Sequence, residues 1–166
     1  MKKVIALCTA AVLCLSLLTA CGPKEPEEKQ VDLAAFAQTV QENHEFAALE
    51  KADPADQEMG AIMLENNYPG LKDMDLEQLE VYLAMISFSG GELALAQAKS
   101  PEDAAKVKEI FQNRITTKST DGPGNYPEEV EMWKKSAKVV DNGSYVMLVN
   151  HPDSEAIAGE FEALFK

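Results

Sequence analysis

An α+β fold, with a four-stranded antiparallel sheet and helices packed on one of its faces, is predicted by three observations. Two stretches of alternating hydrophobicity each turn back on a glycine. A capping box opens a long amphipathic segment directly after the first, and a further amphipathic segment closes the chain after the second. Each strand–strand–helix unit has one apolar face to bury, and four strands with helices laid on one side bury both.

The chain opens on Lys2 and Lys3, followed by a fifteen-residue apolar stretch, Val4 to Leu18, broken only by Thr9 and Ser16. Leu18-Thr19-Ala20-Cys21 then leads into Gly22, the pattern of a bacterial lipobox. Residues 1–20 are expected to be a lipoprotein signal peptide cut between Ala20 and Cys21, with the Cys21 sulfur taking a diacylglycerol thioether. The stretch is too short and too early for a good spanning helix; the alternative is a signal anchor that stays uncut. Residues 21–30 then form a lipidated tether, since Gly22 to Gln30 holds two prolines and nothing large and apolar. Extended, that segment reaches about 28 Å at ~3.1 Å per residue. Residues 31–166 are expected to fold as a single domain.

Folding is predicted to begin at Asp32, an N-cap, with Leu33, Phe36, Ala37 and Val40 on one helical stripe. A second helix is predicted from Gln57 to Asn66, burying Met59, Ile62 and Met63 and broken by Asn67-Tyr68-Pro69-Gly70. The period then becomes two. Leu79, Val81, Leu83 and Met85 alternate with Tyr82, Ala84, Ile86 and Phe88, Ser89-Gly90-Gly91 turns the chain, and Glu92 to Lys99 returns. Alanine is a poor strand former, which counts against the returning strand. Ser100-Pro101-Glu102-Asp103 provides an N-cap, a proline at the first helical position and an acid at the third. The helix it starts is predicted to bury Ala104, Val107, Ile110, Phe111 and Ile115. A polar loop, Thr116 to Asn125, precedes a short helix from Tyr126-Pro127 carrying Val130, Trp133 and Ala137. Lys138 to Val140 is predicted to pair with Tyr145 to Val149 across Asn142-Gly143. Asp153 or Ser154 then caps a last helix with Ile157, Phe161, Leu164 and Phe165 on one face.

The run from Leu79 through Gly90-Gly91-Glu92 to Ala98-Lys99, the Val107 to Arg114 helix, Tyr126, and Asn142-Gly143-Ser144-Tyr145-Val146-Met147-Leu148-Val149 resemble the family described as domain of unknown function 4358. The resemblance covers roughly Val31 to Lys166 and rests on hydrophobic and turn patterns. It implies a small lipoprotein of a Gram-positive anaerobe, anchored on the outer face of the cytoplasmic membrane, and it carries over no catalytic residue.

Composition narrows the chemistry. The chain has 15 basic and 28 acidic residues; losing Lys2 and Lys3 leaves 13 against 28, a net charge of −15. That charge repels a phosphate backbone, so no nucleic-acid partner is expected. No polybasic patch is present to hold anionic lipid, so membrane attachment falls to the acyl chains. The negative surface keeps a tethered domain soluble; selective cation capture is its other meaning. Cys8 and Cys14 leave with the signal and Cys21 takes lipid, so the mature domain has neither thiol nor disulfide.

Neither histidine has a metal-spaced neighbour in the sequence: His44 falls near a helix end, where an imidazole meets free carbonyls, and His151 precedes Pro152 in a turn. No serine lies in a nucleophile motif and no phosphate loop is present. Asp73-Met74-Asp75-Leu76-Glu77 lacks the glycine of a calcium loop and reads as capping. No catalytic residue, metal or cofactor is therefore expected. Tyr126 beside the polar loop, Trp133 and Arg114 are the candidate binding residues, although the phase of Trp133 with Val130 also suits core packing. The expectation is a non-catalytic, membrane-anchored module that binds or assembles with an envelope protein or wall component. Two alternatives stand beside it: a small hydrolase working through carboxylates, and a solute receptor, for which one domain leaves no second lobe.

Overall fold

The computed structural model describes residues 29–85, 91–120 and 126–166. Outside them lie the residues expected as signal peptide, including Ala20, then Cys21 and most of the expected tether, Ile86 and Phe88 of the first alternating run with Ser89-Gly90 of its turn, and residues 121–125 of the polar loop. In order, the elements are α1 (Leu33–Asn43), β1 (Leu49–Lys51), α2 (Gly60–Asn67), β2 (Leu76–Ala84), β3 (Glu92–Ala98), α3 (Pro101–Lys118), α4 (Pro127–Ser136), β4 (Ala137–Asn142), β5 (Tyr145–Asn150) and α5 (Ser154–Ala163). A single 3-10 turn, Leu71–Asp73, joins α2 to β2.

The sheet has five strands, not four, in the order β1-β2-β3-β5-β4, and every neighbouring pair is antiparallel. The extra strand, β1, is a three-residue edge that pairs Glu50 with Leu83. At that length alternation has no room to show. The two hairpins join where β3 lies against β5, placing Leu95 opposite Met147. All seven residues of β3 and all six of β5 are buried.

That burial corrects the expected layering, because helices cover both faces. Val81, Leu83, Ala94, Ala96, Val146 and Leu148 meet Leu64, Tyr68, Val107, Phe111 and Trp133 on the side of α2, α3 and α4. On the other side, Leu93, Leu95, Tyr145, Met147 and Val149 meet Phe36, Val40, Ile157 and Phe161 of α1 and α5. The two strand–strand–helix units thus send their helices to opposite sides. The alanines that weakened β3 as a strand line the α3 face, where short side chains let a helix approach.

Local signals act as the residues dictate. Asp32 accepts from Ala35 N–H at 3.0 Å to cap α1. Ser100 Oγ accepts from Asp103 N–H at 3.1 Å and donates to Asp103 Oδ2 at 2.9 Å, so α3 starts on its capping box. That helix continues to Lys118, into the segment expected as loop, and Ile110 and Ile115 are only half-buried. In the second hairpin Asn142 pairs with Tyr145, so the turn is Gly143-Ser144, one residue later than expected. Gly143 takes φ +58°, which two-residue hairpin loops demand at their first central position.

The second helix differs more. It begins at Gly60 and buries Gly60 and Leu64, whereas Met59 and Ile62 are exposed and Met63 is half-buried. A Cβ at Gly60 would sit 2.0 Å from the Asp53 carbonyl oxygen, and this close approach sets the helix phase. β2 begins at Leu76, inside the acidic run expected to cap it, and Met85 at its end is exposed.

α1 is tied in at both ends. Val31 N–H donates to Tyr145 Oη at 3.1 Å and Leu33 N–H to Gln78 Oε1 at 2.9 Å. His44, the C-cap of α1, meets carboxylates and not the carbonyls expected: Asp153 Oδ2 and Glu160 Oε1 lie 3.2 Å from its two ring nitrogens. Burial works against a charged ring there, yet the hydrogen bonds to Asp153 and Glu160 outweigh it and raise the His44 pKa above its ordinary value.

Candidate functional site

Arg114 and Lys118 stand four residues apart near the end of α3, and Glu129 and Trp133 stand four apart on α4, so each pair shares one helix face. The first residue of β3, Glu92, and Tyr68 at the end of α2 complete the group. Arg114 grips Glu92 at two points, Nε to Oε1 at 2.9 Å and Nη2 to Oε2 at 2.7 Å. The Tyr68 hydroxyl donates to the same Oε1. The guanidinium also lies 5.6 Å from the Tyr68 ring centroid and 5.4 Å from that of Trp133, within cation–π range of both.

These groups are nearly dry, with the Arg114 side chain 11% exposed and that of Glu92 4%. Burial opposes the Arg114 charge, but Glu92 first, then Tyr68 and Glu129, outweigh it and raise its pKa. Burial and then the Glu92 charge push the Tyr68 phenol well above its ordinary value, so it keeps its proton and acts as donor. Beside them Lys118 Nζ meets Glu129 Oε1 at 2.6 Å. Two cations face two anions, a balanced cluster in a chain of net charge −13.

The group lines a cavity of about 160 Å³, walled by Met63, Asn67, Leu83, Ala84, Gly91, Glu92, Arg114, Lys118, Glu129 and Trp133. Two of the lining residues carry a buried polar atom with no hydrogen-bond partner among the described residues: Glu129 Oε2, an acceptor, and Trp133 Nε1, a donor. Buried polar atoms are rarely left so, and the pair offers complementary chemistry from one helix face.

Of the residues singled out from sequence, Arg114 and Trp133 come together at this cavity. Tyr126 does not; it is exposed at the N-cap of α4 and absent from the lining. Ala20 and Cys21 lie outside the described residues. Tyr68, Glu92, Lys118 and Glu129 escaped sequence reading. Glu129 looks like an ordinary first-turn acid and Glu92 like a solvated turn residue. The available signal was that Glu92 is the only charge from Gly91 to Ala98, a segment otherwise apolar or amide.

Fold and cavity together define a small mixed α/β module with an ion-paired pocket between the sheet and three helices. A family model described as a domain of unknown function, DUF4358, matches residues 50–151, and the chain belongs to that family. Every member of the ion-paired cluster lies inside the matched span, while His44, Asp153 and Glu160 lie outside it. No curated protein and no solved structure matches the chain. Among the described residues no helix is long and apolar enough to cross a membrane.

Proposed function

We propose that this protein is a lipid-anchored, extracytoplasmic lipoprotein of a Gram-positive anaerobe that binds an amide-bearing peptide or wall fragment without chemically altering it. The observation that carries the reading is the complementary pair of buried, unpartnered atoms, Glu129 Oε2 and Trp133 Nε1, on two residues that line one cavity, where a small side-chain shift would expose them to a ligand. An amide presents an N–H to the first and a carbonyl to the second. At about 160 Å³ the cavity falls below the ~300–1,000 Å³ of sites for drug-sized ligands, so it suits the tip of a peptide or of a partner's side chain.

Lipid attachment is supported by Leu18 to Cys21 and the apolar stretch before them. Cys21→Ala in the producing cell leaves an unprocessed precursor, and mass spectrometry of the membrane-bound chain reads the diacylglyceryl modification directly. An unmodified Cys21 in that fraction would sink the anchor.

Binding without turnover is supported by how the two buried acids are employed. Both oxygens of Glu92 accept from Arg114, and one also from Tyr68, so three of its roughly four acceptor sites are taken and an ion pair holds it charged. Hydrolysis is the second reading, because Glu92 and Glu129 line one cavity as a carboxylate mechanism requires. Trp133 is the chain's one tryptophan, so its fluorescence reports on the cavity. Titrating the full-length protein with muropeptides should give a saturable emission change, weakened at least tenfold in Glu129→Gln, with no new product by chromatography. A flat titration refutes the binding site; product that vanishes in Glu129→Gln establishes the hydrolase instead.

A further inference from the structure

Outside the lining of that cavity, the end of α1 meets the corner between β5 and α5. His44 and His151, 107 positions apart in the chain, stand with ring centroids 5.9 Å apart and near-perpendicular planes. His151 Nε2 lies 3.1 Å from the backbone oxygen of Glu45, which can only accept, so that nitrogen carries the hydrogen. Its Nδ1 therefore presents a lone pair, and indeed accepts from Asp153 N–H at 3.0 Å. His44 is arranged alike: Nε2 faces Glu160 Oε1 at 3.2 Å, and Nδ1 faces Asp153 Oδ2 at 3.2 Å. With Nε2 donating to Glu160, a neutral His44 aims a lone pair at the Asp153 carboxylate. Two acceptors in direct opposition need a proton or a metal ion between them.

We propose that His44 Nδ1, His151 Nδ1 and an Asp153 carboxylate oxygen bind a divalent transition-metal ion of the zinc class. The three ligand atoms all lie within 4.8 Å of one another, with His44 at 3.2 Å and His151 at 3.9 Å from Asp153 Oδ2. Zinc bonds of ~2.0–2.1 Å in a tetrahedron set ligand atoms roughly 3.3 Å apart, so the two imidazoles, whose ligand atoms lie within 4.8 Å, must draw together and Asp153 must shift to close the set. Asp153 can make that shift, because its side chain is 58% exposed and forms no capping bond to its own helix. The ion displaces the Asp153 N–H from His151 Nδ1.

The surroundings already have the form of an outer shell. A metal-bound imidazole usually donates its other N–H to a carboxylate or a backbone carbonyl. Glu160 serves His44 in this way and the Glu45 carbonyl serves His151. The Phe46 ring stacks over His151 with centroids 4.4 Å apart and shields one side. Two imidazoles with one carboxylate favour zinc-like ions over magnesium or calcium, which take all-oxygen sets. Three protein ligands leave a position for water, and the bound ion fastens α1 to the start of α5.

The test uses the untagged full-length chain in detergent, stripped with EDTA and titrated calorimetrically with ZnCl₂ in excess magnesium. One zinc per chain is expected, with the thermal midpoint raised by at least about 5 °C at a hundredfold excess over Kd. Cobalt substitution should give the strong visible bands of a low-coordinate site. His44→Gln, at a side chain 10% exposed, and Asp153→Asn, at one 58% exposed, should each weaken binding at least tenfold while the circular dichroism stays native. Glu160→Gln should weaken it by roughly 10–100-fold through the outer shell. Absence of saturable zinc binding, or equal affinity in His44→Gln and Asp153→Asn, overturns the proposal.

Discussion

Arg114 and Glu92 are joined at two points, 2.9 and 2.7 Å, in a site where neither side chain is more than 11% exposed. Burying two charges costs about as much as their attraction returns, but removing one of them strands the other. Arg114→Met should therefore destabilise the domain by about 3–5 kcal/mol, and Glu92→Leu with Arg114→Met together by much less. Urea unfolding of the single and double variants checks this. Equal losses in the two would mean that the pair is not the unit of stability.

Gly60 marks where the start of α2 approaches the backbone at Asp53. A methyl group there would fall 2.0 Å from a carbonyl oxygen, too close for any side-chain adjustment to relieve. Gly60→Ala should cost at least about 2 kcal/mol, although alanine is the better helix former by about 1 kcal/mol. A variant as stable as the parent would contradict that approach.

Gly143 has φ +58° at the hairpin turn, where a β-branched side chain is strained. Gly143→Val should lower stability by about 1–3 kcal/mol. Because the hairpin is formed from β4 and the buried β5, a thermal scan should show the loss as a lower global midpoint, and an unchanged midpoint would refute it.

His44 introduces a pH dependence that can be read in EDTA. Its folded pKa is raised by Asp153 and Glu160 against the effect of burial, with His151 as the other titratable group beside it. A raised folded pKa means that protonation favours the folded state. The contribution is fully present below the unfolded value of about 6.5 and is lost as pH rises through the folded value. The stability difference between the parent and His44→Gln should accordingly be larger at pH 6 than at pH 8.5. A difference that grows with pH has the wrong sign.

Much of the fold was legible because its causes are local. The Asp32 cap and the Ser100–Asp103 box depend on groups three residues apart. Gly143 acts through its own backbone angle, and the stripe Leu33, Phe36, Ala37, Val40 through one helical period. Each leaves its mark in a short window. The second hairpin was recognisable on the same grounds, with only its turn displaced by one residue.

Layering and the candidate site depend on partners that no short window contains. β3 had to be flanked by β2 and β5 before Ala94 and Ala96 could face one set of helices and Leu93 and Leu95 another. Glu92 looks like a surface acid until Arg114, 22 positions on, reaches it across the fold. His44 and His151 are isolated in sequence and neighbours in space. Sequence alone determined the Asp32 and Ser100 caps and most of the elements, since these are set by hydrogen bonds within a few residues. Tertiary structure decided which faces were buried and which charges met, because desolvation and ion pairing depend on whatever the rest of the chain brings alongside.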